Sequence, residues 1–561
     1  MTKKNLLSLL IEESKSYMGL DKIESLIEAG SGLENIPVQP LYMTIRNLPV
    51  EAKTALLPKL SAEQRTAFLD IDLWSKDELN VEDFSQWLYV YAGASDELKY
   101  EFIKSPEFVL FLKARFNIWT FDVEDPQYPD HDYYFLTEDN QLLFEYDEDC
   151  EIIDQIKDAI KHLYTEEGVE NAYTFLFKII ADQIGMMTED EYRLKKSRLQ
   201  DFGFMDYFDA LELTTAFPTH KHIDNFIKKT IASNRPQASV GEELQLQKPA
   251  YGLINVFEQV DDLINHELEK ISNEIRLEFL NFNFIKLVNA NLEVNGGIKK
   301  STIEINRCSK ETKTLLELGI SYLTHFIDNE YSESINSFDI FSFTEVFKIG
   351  KSLIAQGHKK IKSTFLKLEL DETFDTFLGP YFDQFISNSL SKNYEFTNFE
   401  YKKMTLNKYG NYLHWLEIIN SLCELLPFAK AFFEKLEELK NKNLVQDHYY
   451  LNYNVSEIDF PALLTSSFSN FYLNDSLDQF KIGLTLKEFK QFLTSYQNKR
   501  NLHNWEQQVE NFIQNFGFDK ISDFKTILYY FLDDALSGYD EINNLSDDEF
   551  KYIGGPIILV G

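Results

Sequence analysis

The spacing of apolar residues constrains this chain more than any other feature. In VDDLINHELEKISNEIRLEFLNFNFIKLVNANL, residues 260–292, apolar side chains recur at intervals of three and four, which is the period of an α-helix. Glycine (22 of 561 residues) and proline (14) are scarce, so long helices meet few interruptions. The pattern predicts a mainly α-helical fold.

The length predicts more than one packed unit, because 561 residues exceed what one hydrophobic core usually supports. The stretch ASNRPQASVGEELQLQKP loses the helical period and gains Pro, Gly, Ser and Gln, which favours a linker. SKNYEFT interrupts the pattern again further on. We predict an N-terminal helical domain over 1–231, a linker over 232–250, a middle helical domain over 251–395 and a C-terminal helical domain over 396–561.

Short helices recur near the N-terminus. Leu-Pro at 48–49 and Leu-Ser at 60–61 each open a short helical segment. Pro49 suits a first helical turn, and Ser61 with Gln64 has the spacing of a capping box. Helices this short cannot bury their apolar faces alone, so they must stack on neighbours. The pattern predicts a multi-unit helical array of repeat character.

Thr188 and Glu191 have the same spacing and predict a second capping box. The helix that it would begin is basic towards its carboxyl end, where cations interact favourably with the helix dipole, at Arg193, Lys195, Lys196 and Arg198. Gly203 then predicts the end of that helix.

One β-hairpin is predicted within this helical pattern. DYYFLT (132–137) and QLLFEYD (141–147) are rich in aromatic and branched residues. They flank Glu138, Asp139 and Asn140, which are residue types that favour turns. The sequence therefore predicts a small hairpin insertion.

The formal net charge of −36 excludes several kinds of partner. Nucleic-acid binding needs Lys and Arg to neutralise phosphates, and an acidic protein also repels anionic membranes. No apolar run approaches the roughly 20 residues that span a bilayer. At the N-terminus, Glu12 and Glu13 interrupt LLSLLI, which favours an amphipathic helix over a signal peptide. We expect no nucleic-acid partner and no membrane insertion.

The three cysteines, Cys150, Cys308 and Cys423, lie more than a hundred residues apart. This spacing supplies neither a disulfide framework nor a CxxC metal site, and a cytoplasmic location is the simplest expectation. Cys423 lies in the apolar run SLCELLPF, which favours a buried thiol over a nucleophile.

Two groups containing histidine are candidate metal ligands. His220, His222 and Asp224 in PTHKHID offer imidazole and carboxylate ligands, although a solvated helix start explains the same residues. His131 stands between two aspartates, and these side chains together offer imidazole and carboxylate ligands for a divalent cation. A surface loop ahead of the hairpin is the alternative reading of His131.

An acidic run follows the hairpin and gathers oxygen ligands of the type that Mg²⁺ and Ca²⁺ prefer. It lacks the DxDxDG order of an EF-hand, and a solvated charged face is the alternative. Its members are Glu145, Asp147, Glu148, Asp149, Glu151 and Asp154.

No catalytic motif emerges from the sequence. Gly350, Lys351 and Ser352 mimic the end of a P-loop, but Glu345 occupies the position that requires a glycine. No GxSxG or cysteine–histidine signature supplies a nucleophile. An enzyme would have to assemble its site from distant positions, and we name no catalytic residue.

The tryptophans and the final segment are interpreted as structural features. Trp74, Trp87 and Trp119 are expected in the core, with one of the three partly exposed. The final YIGGPIILVG contains a short extended apolar run that can add as a strand to a sheet edge, either of this protein or of a partner.

Two resemblances follow from these motifs. LPVEAKTALLPKLSAEQRTAFLDIDLW resembles the helical repeats of the cytosolic domain of MgtE magnesium transporters, which implies weak divalent-cation sensing. The order of further phrases resembles an uncharacterised family of large bacterial cytosolic proteins, which implies the length, the helical character and a bacterial origin but no activity. These phrases are LDIDLW (69–74), HDYYFLTEDNQLLFEYDED (131–149), RLKKSRLQDFGFMDYFDAL (193–211), LVNANL (287–292) and LTLKEFKQFL (484–493).

The sequence therefore predicts a non-catalytic interaction or scaffold protein whose acidic surface selects a protein partner, with the hairpin as the recognition element. Two alternatives stay open. One is a metal-dependent hydrolase that uses His131 or the group His220, His222 and Asp224. The other is a regulator that binds a divalent cation weakly through Asp147, Glu148 and Asp149. Apart from such a cation we expect no cofactor, and the partner, pathway and oligomeric state stay open.

Overall fold

The structure is a computed structural model of the chain. It describes residues 3–14, 27–30, 32–75, 78–181, 184–233, 263–297, 302–331, 335–370, 377–477, 483–499, 504–539, 546 and 549–560.

Helices dominate the described residues, as the apolar period predicts, and the mainly α-helical fold is confirmed. The helices are Lys3–Ser14, Val38–Ile45, Val50–Leu56, Ala62–Asp72, Val81–Ala92, Asp96–Ile103, Pro106–Arg115, Ile153–Ala181, Ile184–Asp201, Tyr207–Thr214, His220–Ala232, Leu263–Leu268, Glu274–Val294, Thr302–Glu330, Ser337–Ile340, Phe343–Lys367, Pro380–Leu390, Tyr409–Asn441, Phe460–Asn474, Leu486–Gln497, Trp505–Asn515 and Phe524–Ser537. Within these residues, no helix is both long and apolar enough to cross a membrane.

Strands of the described residues form four small sheets. β1 (Trp74–Ser75) pairs with β2 (Glu78–Leu79), and β3 (Asn117–Thr120), β5 (Leu142–Glu145) and β4 (Tyr134–Leu136) form a three-stranded sheet in that order. β6 (Glu395–Thr397) pairs with β7 (Lys403–Thr405), and β8 (Leu484–Thr485) pairs with β9 (Ile558–Leu559). All pairings are antiparallel except β8 with β9, which is parallel. The sequence predicts the pairing of β4 with β5, leaves open whether β9 adds to this protein or to a partner, and misses the other pairings.

The described residues divide into two compact units that each draw on several parts of the chain. The first takes its residues from Met1–Thr215, Lys228–Lys313 and Glu333–Lys348, and the second takes them from Ala216–Ile227, Thr314–Ser332 and Ile349–Gly561. The predicted linker 232–250 lies outside the described residues except for its first two. The predicted domain boundaries stay predictions.

The core of the first unit is built largely from aromatic rings. Phe84 stacks on Phe111 at 3.8 Å between ring centroids, and Tyr91 stacks on Phe102 at 4.6 Å. All four side chains are at most 2% exposed. Stacked rings of this size bury large apolar areas and dominate the stability of such a core.

Aromatic residues also form the core of the second unit. The Phe468 ring meets the ring of Trp505 at 5.6 Å and that of Phe512 at 5.1 Å, both edge-on. Trp415 is fully buried and donates from its indole N–H to the Ser389 hydroxyl at 2.9 Å. The polar atom of this indole therefore has a partner inside the core.

Gly350, the glycine of the apparent phosphate motif, has a packing role. It lies inside the helix Phe343–Lys367, where a Cβ atom would come within 2.0 Å of the Leu315 carbonyl oxygen. Two backbones approach closely at this point, and only glycine leaves room for that. The motif therefore marks a helix contact, in agreement with its rejection as a P-loop.

The predicted local signals have mixed outcomes. The Ser61 capping box is confirmed, because Ser61 and Gln64 exchange both hydrogen bonds. Pro49 immediately precedes the helix Val50–Leu56. The capping box at Thr188 and Glu191 is wrong, since both residues lie inside the helix Ile184–Asp201. There the Thr188 hydroxyl donates to the Ile184 carbonyl at 2.9 Å, a back-bond that helix interiors allow.

The expectations for tryptophan and cysteine are confirmed. Trp74 and Trp87 are each 4% exposed, whereas Trp119 is half-buried. Cys308 and Cys423 are buried, and burial raises the pKa of the Cys423 thiol, so that thiol stays protonated.

The carboxyl-terminal strand pairs within the second unit. β9 lies parallel to β8, with Leu484 opposite Ile558. On its other side, the Leu451 N–H donates to the Ile558 carbonyl at 2.9 Å. The Asn452 amide donates to the Pro556 carbonyl at 3.1 Å. Of the two alternatives for this segment, the structure therefore supports addition to the protein's own sheet edge.

Candidate functional site

The turn of the predicted hairpin is organised by side chains. Asn140 adopts a φ of 56°, a left-handed conformation that asparagine tolerates better than most residues. Asp139 Oδ1 accepts hydrogen bonds from the Thr137 hydroxyl at 2.6 Å and from the Gln141 N–H at 3.1 Å. These bonds hold the turn in one conformation.

The hairpin is anchored by its central strand. Leu142, Leu143 and Phe144 of β5 are fully buried, and Phe144 stacks on Phe135 of β4 at 5.0 Å. β3 pairs with the other edge of β5, with Trp119 opposite Leu143. The acidic residues around the hairpin are therefore attached to a fixed three-stranded sheet.

Residues 116–156 contain thirteen acids and no lysine or arginine. Most of these acids are exposed, and we define the exposed ones as the acidic hairpin surface. Its members include the predicted cation ligands Asp147, Glu148 and Asp149. The complete set is Asp122, Glu124, Asp125, Asp130, Asp132, Glu138, Asp147, Glu148, Asp149, Glu151 and Asp154.

His131 pairs with Glu145, whereas the sequence points to the two aspartates beside it. Its Nε2 lies 2.9 Å from Glu145 Oε1, and its Nδ1 accepts a hydrogen bond from the Tyr133 N–H at 3.2 Å. His131 and Glu145 are thus brought together across the sheet, and both ring nitrogens have protein partners.

The second candidate group is only partly assembled. The Tyr322 hydroxyl donates to Asp224 Oδ1 at 2.6 Å and lies 3.2 Å from His220 Nε2. His222 turns to the Thr219 hydroxyl, 2.7 Å from its Nδ1. The tyrosine therefore links His220 to Asp224, while His222 is engaged elsewhere.

A third group, absent from the sequence predictions, has ligand atoms close enough to share one ion. Carboxylate oxygens of Asp70, Glu107 and Glu191 all lie within 4.8 Å of one another, and in the described part of the chain this is the group of His, Cys, Asp and Glu that meets this condition. We call it the carboxylate cluster. It belongs to the first unit, and its three side chains are 1%, 2% and 7% exposed, respectively.

Three helices position the carboxylate cluster. Asp70 lies in the last turn of Ala62–Asp72, Glu107 lies in the first turn of Pro106–Arg115, and Glu191 lies within Ile184–Asp201. The first turn of a helix suits an acid because the helix dipole is positive there. The Glu107 carboxylate also accepts a hydrogen bond from the Trp74 indole N–H at 3.4 Å.

Arg198 neutralises two of the three acids. Its guanidinium makes a bidentate pair with Asp70, at 2.8 Å to Oδ2 and 2.7 Å to Oδ1, and it donates to Glu191 Oε1 at 2.5 Å. Planar guanidinium and carboxylate groups match in such pairs, which are among the stronger hydrogen-bonded contacts in proteins.

Burial perturbs the acids of the cluster. It raises the pKa of Glu107 to about 7, and the charge of Asp70 adds to this effect. Burial also raises the pKa values of Asp70 and Glu191, although hydrogen bonds from Arg198 oppose it at both. Near neutral pH the cluster therefore exchanges a proton at Glu107.

A cavity of about 310 Å³ adjoins the cluster, and its lining includes Asp70, Trp74, Lys195 and Asn289. The Lys195 ammonium lies 5.0 Å from the centre of the Trp74 ring, within the range of a cation–π contact. Asn289 donates to the Gly203 carbonyl at 3.0 Å. The cavity thus offers groups of both charges together with an aromatic wall.

The cluster has two chemical uses. It can hold a divalent cation through hard oxygen ligands, or it can serve as a buried ion pair with one exchangeable proton. A cation would have to compete with Arg198 for Asp70 and Glu191.

The described residues form a mainly α-helical protein with small strand pairs, a fixed acidic hairpin and a buried, arginine-paired carboxylate cluster. Residues 19–558 match a family of unknown function, DUF6178, and the chain belongs to this family. The predicted uncharacterised family is thereby confirmed in outline, while the bacterial origin and the MgtE-like repeats stay predictions. No curated protein and no solved structure matches the chain.

Proposed function

We propose that this protein is a non-catalytic, cytoplasmic interaction protein whose acidic hairpin surface binds a basic segment of a protein partner. The observation that carries the proposal is the run of residues 116–156, which has thirteen acids and no lysine or arginine. Most of these acids are exposed on a sheet whose central strand is buried.

The fixed sheet favours binding. Because β5 is buried and the Asp139 hydrogen bonds hold the turn, few backbone conformations are lost when a partner docks. Val123 (65% exposed) and Tyr128 (53% exposed) lie among the acids and supply apolar contact area. Tyr128 is held against Phe121 at 5.1 Å between ring centroids. Interfaces often combine aromatic anchors with a charged rim in this way.

Electrostatics gives the surface its selectivity. A cluster of one charge accelerates encounters with a partner of opposite charge and suppresses association with partners of like charge. The same field disfavours nucleic acids. We therefore expect a partner segment rich in Lys and Arg, whose binding weakens with ionic strength.

Affinity purification with crosslinking and mass spectrometry tests the proposal. The variant Asp147→Asn, Glu148→Gln, Asp149→Asn removes three charges from the acidic hairpin surface. A matched control removes three exposed charges elsewhere in the first unit, Glu51→Gln, Glu63→Gln, Glu97→Gln. We expect the first variant to lose partners that the control retains. Identical partner sets for the wild type and both variants would reject the hairpin as the recognition element.

The carboxylate cluster supports a second candidate function, a regulator that responds to a divalent cation. Its three carboxylates offer oxygens within 4.8 Å of one another, as hard cations require. On this proposal, millimolar Mg²⁺ or Ca²⁺ raises the melting temperature of the wild type. Glu107→Gln abolishes the rise if the cation binds in the cluster, whereas the Asp147, Glu148 and Asp149 variant abolishes it if the cation binds at the hairpin. No rise with either ion in the wild type would exclude the function.

A further inference from the structure

The second unit contains a cavity of about 690 Å³ that the proposed function does not use. Its lining includes Tyr381, Tyr401, Tyr453, Tyr530, Asp459 and Asp534. Among the described residues that line it there is no lysine, arginine or histidine. We call it the tyrosine cavity. Its volume is in the range of small-molecule sites.

The rings of the tyrosine cavity are packed against one another. The centroid of Tyr530 lies 4.7 Å from that of Tyr381 and 5.4 Å from that of Tyr401. Phe399 supports them from behind, at 4.9 Å from Tyr381 and 5.4 Å from Tyr530. Rings held in this way need little further ordering when a ligand binds.

Hydrogen bonds fix the tyrosine hydroxyls. Tyr381 donates to the Thr397 carbonyl at 3.0 Å, and Tyr401 donates to Asp534 Oδ1 at 3.1 Å. Burial raises the pKa values of Tyr381 and Tyr530, so both remain neutral phenols. Neutral rings keep the negative face that attracts cations.

Two carboxylates supply the charge of the cavity. Asp459 is half-buried and caps the helix Phe460–Asn474 by accepting from the Ala462 N–H at 2.9 Å. Asp534 is exposed. No basic side chain of the described lining pairs with either carboxylate.

The carboxyl-terminal segment contributes a wall through Gly554 and Gly555. The Tyr453 hydroxyl donates to the Gly555 carbonyl at 3.0 Å and accepts from the Gly555 N–H at 3.0 Å. Gly555 has a φ of 133°, and a Cβ atom there would lie 2.6 Å from the Ala535 carbonyl oxygen. Glycine is therefore required for this close wall.

We propose that the tyrosine cavity binds a small organic cation, an alkylammonium group that stacks on the tyrosine rings and pairs with Asp459 and Asp534. Aromatic rings with nearby carboxylates recognise such groups because the cation gains both cation–π and Coulomb attraction. An anionic ligand would meet two like charges and no basic side chain among the described residues of the lining. The alkylammonium belongs either to a free metabolite or to a lysine side chain of a peptide.

Isothermal titration calorimetry with choline and its neutral isostere 3,3-dimethylbutan-1-ol tests the charge requirement on the full chain. We expect choline to bind at least about 10-fold more tightly than the isostere, in keeping with cation–π and carboxylate contacts together. N-acetyl-lysine methylamide forms a third arm. Tighter binding of N-acetyl-lysine methylamide than of choline assigns the alkylammonium group to a peptide. Tighter binding of choline assigns it to a free metabolite. Equal binding of choline and its isostere, or binding of none of the three compounds, overturns the proposal.

Two substitutions locate the bound cation. Asp534→Asn should weaken choline binding by about 3- to 10-fold, because it removes one of two attracting charges. Asp519→Asn, an exposed aspartate of the same unit outside the lining, is the control and should leave binding unchanged. Tyr401→Leu removes a ring that is 62% exposed, so the fold should persist while choline binding falls. Unchanged binding in both Asp534→Asn and Tyr401→Leu would also overturn the proposal.

Discussion

At the scale of single residues, the most consequential feature is Arg198. It lies 128 positions from Asp70 in the sequence and makes a bidentate pair with that aspartate. Breaking a buried ion pair leaves an uncompensated charge, which costs far more than the pair itself contributes. The arginine is therefore a structural requirement of the carboxylate cluster.

Replacing this arginine should destabilise the first unit. Arg198→Met leaves buried Asp70 and Glu191 without their arginine partner. We expect the free energy of unfolding to fall by about 2–4 kcal/mol, which is less than for a fully buried pair because the arginine is one third exposed. Arg193→Met on the same helix removes an exposed pair with Glu189 and should change stability by less than about 0.5 kcal/mol. Urea unfolding monitored by tryptophan fluorescence measures both. Equal effects of the two substitutions would mean that the cluster tolerates free charges.

Glu107 should make stability depend on pH. Its pKa rises from the ordinary 4.5 to about 7, so between these values the folded state holds a proton that the unfolded chain has released. Stability from this group is therefore lost as the pH rises from 4.5 to 7, by about 3 kcal/mol at 1.36 kcal/mol per pKa unit. Above pH 7 the loss is complete and no longer changes.

Glu107→Gln removes this titration. The stability of the variant relative to the wild type should rise by about 3 kcal/mol between pH 4.5 and 7.5. Phe108→Leu alters the packing beside it and leaves Glu107 ionisable, so its cost should be the same at both pH values. Chemical unfolding at the two pH values gives both differences. If the stability difference between Glu107→Gln and the wild type were the same at both pH values, Glu107 would have the same pKa in the folded and unfolded states.

At the scale of elements, the sequence predicts what is local. The hairpin follows from two aromatic runs around an Asp-Asn turn, and the Ser61 cap follows from a glutamine three positions later. Thr188 and Glu191 show that the spacing of a capping box does not by itself locate the start of a helix. The same pattern occurs inside helices, where a threonine bonds back to a carbonyl one turn earlier.

The carboxylate cluster could not be predicted in this way. Its residues come from three helices separated by tens of residues in sequence, and the chain contains 91 acids. A weak signal does exist at Asp70, which stands between Leu69 and Ile71 in an apolar run. An acid inside a buried helix needs a partner, but a single sequence does not reveal which arginine supplies it.

The parallel pairing of β8 with β9 depends on one glycine. Gly483 has a φ of 93°, and a Cβ atom there would lie 2.4 Å from the Leu559 side chain. Gly483→Ala should therefore lower the free energy of unfolding by about 1–3 kcal/mol and speed amide hydrogen exchange in residues 557–560. Gly410→Ala, in a helix with open space around it, should be neutral or stabilising by up to about 1 kcal/mol. Hydrogen exchange with mass spectrometry measures both, and unchanged exchange in Gly483→Ala would contradict this role.

At the scale of the whole molecule, charge and packing oppose each other. The net charge of −36 destabilises any compact state through self-repulsion, while the aromatic cores hold each unit together. Salt screens repulsion between exposed charges, with a Debye length of about 10 Å at 0.1 M. The charge is also unevenly distributed, because residues 116–156 supply thirteen of the acids and none of the lysines or arginines.

Ionic strength should therefore stabilise the protein, and the acidic hairpin surface should account for much of the effect. Raising KCl from 10 to 200 mM should raise the midpoint of the first thermal transition by about 2–4 °C, which corresponds to about 1 kcal/mol in a unit of this size. The variant Asp147→Asn, Glu148→Gln, Asp149→Asn should show a smaller rise than Glu51→Gln, Glu63→Gln, Glu97→Gln. Both remove three negative charges, but the control acids stand in first turns of helices, where the helix dipole favours them. Only the hairpin variant therefore relieves repulsion between neighbouring acids, and screening acts most on charges closer together than the Debye length. Equal salt dependence in the two variants, measured by differential scanning calorimetry, would mean that the repulsion is spread evenly over the molecule.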